Sequence, residues 1–103
     1  MQEYGIFMKK LISVVVLSIV AFSAHAERSG KDVYDTACTF CHAAGVAGAP
    51  KVGDAEAWAP RLEAGMPTAI ATIKTGKGAM PPGGMCADCT DAEYTSAINY
   101  MSK

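Results

Sequence analysis

Cys38-Thr39-Phe40-Cys41-His42 is the stretch on which the reading turns. Two thiols three residues apart, followed at once by a histidine, have the C-x-x-C-H spacing of covalent haem attachment. Each thiol can add to one vinyl group of a single porphyrin, and the adjacent histidine then lies beneath the iron. A cysteine pair alone also fits a redox dithiol, half of a zinc site or a chance string. A redox dithiol expects a βαβ setting that this sequence lacks. A four-cysteine zinc ribbon wants its second pair roughly 15 to 20 residues on, whereas 44 residues separate Cys41 from Cys86. From Glu27 onward His42 is the only histidine, so a histidine ligand to a bound haem is assigned by elimination.

Upstream of the motif, Lys9-Lys10 precedes Leu11 to Phe22, twelve residues of which only Ser13 and Ser18 are polar, and then Ser23-Ala24-His25-Ala26. A basic start, a short apolar run and small residues at Ala24 and Ala26 predict a secretory signal peptide over residues 1–26, cut before Glu27, with Met8-Lys9-Lys10 as its natural beginning. The competing reading is a retained membrane anchor, but the run is shorter than the roughly 20 residues a bilayer needs. Cleavage leaves a single domain, residues 27–103, exported to a bacterial periplasm where disulfides persist. No cysteine follows the cut, so no acylation site is on offer there. The membrane then enters only through partners, unless the leader is retained.

The 77 residues that remain are few for a lone hydrophobic core, and a covalent cofactor, a disulfide or both are expected to staple the fold. They carry seven Lys/Arg against nine Asp/Glu, a net charge of −2. That balance lacks the basic face a sequence-independent grip on nucleic acid requires.

Ser29-Gly30-Lys31-Asp32 places a capping serine three residues before an acid and opens a helix through Val33, Tyr34 and Ala37 into the first cysteine pair. Residues 43–53 read as irregular loop. Asp54 caps a short helix through Trp58 that Pro60 interrupts. Pro67 suits a first helical position, and Ala69, Ile70 and Ile73 give an apolar stripe that ends at Gly76. Residues 76–84 form a loop rich in glycine and proline that carries Met80. Thr90-Asp91-Ala92-Glu93 is a full capping box, followed by Tyr94, Ala97, Ile98 and Met101 at helical spacing. No segment alternates with period two, so the expected fold is all-α, with about four short helices and long loops wrapped around one covalent haem.

Four methionines from Glu27 onward compete for the sixth position on the iron. A thioether is a soft ligand, and a His/Met pair raises the reduction potential. Met101 lies on the stripe of the last helix and reads as core. Met66 stands at a helix start, and Met85 directly precedes Cys86. Met80 is followed by Pro81-Pro82, which bias it to an extended backbone, and preceded by Gly76 and Gly78, which permit close approach. Met80 is the expected ligand, with Met85 and Met66 as alternatives. Trp58 and Arg61 are candidate donors to the haem carboxylates; the plainer reading is a core tryptophan and a solvated arginine.

The C-x-x-C-H at Cys38 to His42, the loop Gly78-Ala79-Met80-Pro81-Pro82 and the terminal helix with Tyr94 and Met101 resemble the class I c-type cytochromes. The pair Cys86-Ala87-Asp88-Cys89, with Gly48-Ala49-Pro50 and Ala57-Trp58-Ala59-Pro60-Arg61, is similar to the bacterial cytochrome c5 subfamily. The resemblance implies that the first and last helices cross near the haem, that Pro50 offers its carbonyl to the proximal histidine, and that Cys86 and Cys89 form a disulfide. Met85 departs from it, since a small or polar residue is expected there.

The expected function is that of a soluble monohaem electron carrier and not an enzyme: His42 and Met80 on the iron, Cys38 and Cys41 bound to haem c, no substrate at the metal. Respiratory-chain redox proteins are the expected partners, docked transiently. Two alternatives remain at this stage. One is a haem protein with an open sixth position that binds or transforms a ligand; the other is a dithiol oxidoreductase that uses Cys86 and Cys89.

Overall fold

The structure, a computed structural model, describes residues 26–103. The segment read as a leader therefore lies outside the described residues, apart from Ala26. Among the described residues no helix is long and apolar enough to cross a membrane.

Among the described residues four helices are present and no strand is. Helix α1 covers residues 30–42 in three joined parts: Gly30–Val33, a π-helical segment Tyr34–Cys38, and Thr39–His42. Helices α2 (Ala55–Leu62), α3 (Met66–Thr75) and α4 (Asp91–Met101) follow, with single 3-10 turns at Val46–Gly48 and Pro82–Met85. The caps fall where the sequence has capping residues. Ser29 Oγ accepts from the Asp32 amide at 3.1 Å and Asp54 Oδ1 from the Ala57 amide at 3.2 Å. At α4, Thr90 Oγ1 accepts from the Glu93 amide while Glu93 Oε1 accepts from the Thr90 amide, both halves of a capping box.

Two local expectations are corrected. Pro60 does not interrupt α2, which runs through it to Leu62. The proline removes the amide that would bond to the Glu56 carbonyl, but both residues are exposed, so water can take that carbonyl. The first helix also contains a widened turn with no signature in the sequence. There the Thr39 amide bonds back to the Tyr34 carbonyl, and Thr36 Oγ1 donates to the carbonyls of Asp32 and Val33, holding the extra residue in place.

Helix α1 packs chiefly on α4, residues near one end of the described chain against residues near the other. Val33, Tyr34, Ala37, Tyr94, Ala97, Ile98 and Met101 are buried, and Trp58 and Ile70 extend the same core from α2 and α3. The crossing depends on Gly30, because a side-chain carbon there would collide with the Ser96 carbonyl. Elsewhere the two helices meet through side chains, as where the rings of Tyr34 and Tyr100 lie 5.3 Å apart.

The sulfurs of Cys86 and Cys89 are bonded to each other, across a Cα–Cα distance of 5.4 Å, just before α4. Beside them the N-terminal tail is fastened to the same helix end. Arg28 meets Glu93 and Asp88, and Thr90 Oγ1 donates to Glu27 at 2.7 Å. Lys74 of α3 pairs with Asp91 at 2.5 Å, so three segments converge on the start of α4.

Candidate functional site

A cavity of about 390 Å³ opens between α1, α2, α3 and the loop that leads to Met80. Cys41 and His42 reach it from the end of α1, Pro50 from the following loop, Trp58 and Arg61 from α2, and Met80 from the loop after α3. Its walls are otherwise mostly apolar, with Leu62, Ala69, Ile73 and Ile98 among them. A smaller cavity next to it is lined by Cys38, Cys41, His42, Met80 and Met85. The expected attachment cysteines, the histidine and the loop methionine thus border two cavities that share Cys41, His42 and Met80.

His42 is held firmly. It is 8% exposed, and its Nδ1 lies 2.7 Å from the Pro50 carbonyl oxygen. A carbonyl oxygen only accepts, so this contact fixes Nδ1 as the donor and makes Nε2 the nitrogen whose lone pair is free in the neutral ring. Nε2 makes no hydrogen bond among the described residues. The ring also packs on Trp58, with centroids 5.3 Å apart. Three consecutive residues build this support: the Pro50 carbonyl accepts from His42 Nδ1, the Lys51 carbonyl accepts from Trp58 Nε1 at 2.8 Å, and the Val52 amide donates to the His42 carbonyl at 2.8 Å. That arrangement holds the ring as an outer-shell carbonyl holds a ligating histidine in metal sites generally.

Trp58 is therefore a core residue, 6% exposed, whose only polar hydrogen is already bonded to backbone. It lines the cavity all the same. Arg61 lines the cavity, but its Nη1 donates to the Ala57 carbonyl one turn back at 2.6 Å. With Lys77 it brings positive charge to the cavity lining.

Cys38 and Cys41 carry free thiols. Burial pushes the Cys38 thiol up to about 11, so in the haem-free chain it is neutral, unlike a thiolate primed for redox exchange. Only this pair is followed by a histidine; Thr90 follows Cys89.

Among the methionines, Met80 alone lines both cavities. Met101 is buried at 3% exposure and Met66 packs against the core. Met85 is 59% exposed, lines only the smaller cavity, and holds φ +67°, a left-handed backbone that side chains other than glycine rarely adopt. Met80 is fixed through its backbone, which exchanges two hydrogen bonds with Lys77, at 3.0 and 2.9 Å. Sequence reading missed that short pairing because two residues leave no periodic pattern.

The residues fit a haem. A histidine nitrogen free of hydrogen bonds and fixed in direction, a thioether facing the same space, two thiols at a helix end and apolar walls make up the donor set such a group takes.

A family model described as "Cytochrome C oxidase, cbb3-type, subunit III" matches residues 25–101. The chain is 48% identical over 77 residues to a cytochrome c5 of Azotobacter vinelandii, covering 73% of this chain and 93% of that one. It is 45% identical over 82 residues to a cytochrome c-555 of Chlorobaculum tepidum, covering 76% of each. Among solved structures, a mono-haem ferrocytochrome c from Shewanella putrefaciens superposes with a TM-score of 0.67 at 49% identity, over 77% of this chain and 98% of that one. A chain from an electron transfer complex of nitrite reductase with cytochrome c gives 0.65 at 45% identity, over 76% and 95%.

Proposed function

The chain belongs to the class I c-type cytochromes and carries one covalently attached haem c, and from that premise we propose that it is a periplasmic electron carrier with His42 and Met80 as axial ligands and Cys38 and Cys41 as the attachment points. The observation that carries the reading is the contact of His42 Nδ1 with the Pro50 carbonyl, in a cavity that Met80 also lines. The reading is in keeping with relatives named cytochrome c5, cytochrome c-555 and mono-haem ferrocytochrome c.

When bound, the haem supplies a metal that cycles between ferric and ferrous states. The protein's own residues do the rest. Pro50 and Trp58 hold the His42 ring, and that fixed orientation limits the rearrangement accompanying a change of iron charge. Leu62, Ala69, Ile73 and Ile98 exclude water from the cavity and lower its dielectric, a main control on potential. Arg61 and Lys77 favour the haem's carboxylates by charge. His42 and Met80 together would hold the iron and leave no position on it for a substrate.

Cys86 and Cys89 serve as a structural disulfide. Cys86 is 5% exposed, and no histidine follows the pair. A disulfide belongs with the exported location, and residues 1–26 serve as a cleaved leader.

The partners are redox proteins, in keeping with the relative found in a complex with nitrite reductase, and respiratory-chain proteins are the first candidates. Phe40, Val46 and Met85 are exposed apolar side chains beside the attachment cysteines and the two cavities. Such a rim suits brief docking over a small area.

The test is the optical spectrum of the exported protein, oxidised and reduced, with mass spectrometry on the same sample. The expected mass is that of residues 27–103 plus one haem, with sharp low-spin reduced bands and a weak sulfur-to-iron band at the red end of the ferric spectrum. A high-spin spectrum would remove the methionine ligand, and the absence of haem would overturn the reading.

A further inference from the structure

Tyr94 stands in α4, 5% exposed, and its hydroxyl leaves the helix to reach the loop that follows Met80. The oxygen lies 2.7 Å from the Cys86 carbonyl and 3.0 Å from the Gly83 carbonyl, so one proton is shared between the two. Burial pushes the phenol above its usual range, which keeps that proton in place at neutral pH.

The turn so pinned is the one against which Met80 rests. A side-chain carbon at Gly84 would come within 2.9 Å of Met80 Cε, so the bare backbone of Gly84 supports the thioether methyl. Gly84 follows directly on Gly83, whose carbonyl Tyr94 holds. The other side of Met80 is fixed by its backbone pairing with Lys77.

We propose that Tyr94 is a positioning residue for the sixth iron ligand: its hydroxyl holds the Gly83–Cys86 turn, and that turn presses Gly84 against the Met80 methyl and keeps the sulfur directed at the iron. The proposal rests on the assignment of Met80 as the ligand. It explains why a buried tyrosine is used where phenylalanine would fill the same core volume.

Replacing Tyr94 by phenylalanine deletes the hydroxyl and little else. Both carbonyls keep a backbone donor, Gly83 from the Cys86 amide at 3.0 Å and Cys86 from the Cys89 amide at 3.2 Å. Neither is orphaned, so the variant folds.

The experiment titrates imidazole into the ferric, haem-loaded protein, following the sulfur-to-iron band, for wild type, Tyr94→Phe, Gly84→Ala, Tyr100→Phe and Met80→Ala. Imidazole competes with the native sixth ligand, so its affinity reads how firmly that ligand is held. Tyr94→Phe is expected to keep the band but bind imidazole about fivefold more tightly, equivalent to about 1 kcal/mol, the worth of one hydrogen bond. Gly84→Ala shifts the same way. Tyr100→Phe removes a hydroxyl from the same helix at a ring packed on Tyr34 and leaves the affinity unchanged. Unchanged affinity in Tyr94→Phe or in Gly84→Ala, or an equal shift in Tyr100→Phe, overturns the proposal alone. A wild-type protein without the band, or a Met80→Ala protein that retains it, overturns the ligand assignment and this proposal with it.

Discussion

Arg28 grips Glu93 from 65 residues away: the backbone amide of Arg28 donates to Oε2 at 3.0 Å, Nε to the same oxygen at 2.5 Å, and Nη2 to Oε1 at 3.2 Å. Glu93 also completes the capping box of α4, so one carboxylate closes a helix end and anchors the N-terminal tail. The guanidinium holds its carboxyl down at about 2, against an ordinary 4.5.

A carboxyl with a depressed folded-state pKa contributes stability that is full above about pH 4.5 and disappears as pH falls toward about 2, because the unfolded chain binds the proton first. The midpoint of urea unfolding is expected to drop across that window. Glu93→Gln keeps a capping side chain but loses the charge. It should be less stable at neutral pH, with a flatter profile between pH 4.5 and 2; an equally steep profile would assign the acid loss to other groups.

Met80→Ala is expected to abolish the sulfur-to-iron band and lower the reduction potential by on the order of 0.1 V, within the roughly 0.8 V span that axial ligands command. Protein-film voltammetry and the ferric spectrum read both. A band that persists would move the ligand to Met85 or Met66.

Cys86→Ser/Cys89→Ser should retain haem and transfer electrons but melt earlier. Opening a four-residue ring removes about 2 kcal/mol on loop entropy, or roughly 10 °C in a domain of this size. Loss of electron transfer with haem intact and the fold preserved would give the pair a role beyond structure.

Gly30→Ala puts a methyl group into the Ser96 carbonyl at the crossing of α1 and α4. Backbone cannot yield as a side-chain tip does, so a cost of about 1–3 kcal/mol is expected in thermal or urea unfolding. A neutral result would mean that the two helices can slide apart at little cost.

How far the fold was legible depended on whether a signal was local. Ser29, Asp54, the Thr90–Glu93 box, Pro67 and Gly76 marked helix ends because a side chain or a special φ meets the backbone within three residues, and those ends stand close to where they were read. The attachment motif was equally local. The widened turn at Tyr34–Cys38 was not, since one added residue neither breaks a helix nor shifts apolar spacing enough to notice. Trp58 was left between two roles because the partner of its indole N–H, the Lys51 carbonyl, is a backbone atom that no residue type announces. Arg28 carried no signal beyond its charge, and Tyr94 none beyond its place at helical spacing in the last helix, because their partners lie at Glu93 and in the Gly83–Cys86 turn, distances in sequence or directions in space that periodicity does not carry.

The crossing of α1 on α4 also sets the order in which the chain can become a protein. Helix α1 is made first but finds the surface that buries Val33, Tyr34 and Ala37 only once α4 has been made. Contacts of such long sequence separation delay folding until α4 is present. Loss of α4 takes away the main surface on which α1 packs and leaves the cavity without Ile98, so a chain cut short before Asp91 is expected to be cleared by proteases and not to serve as a smaller carrier.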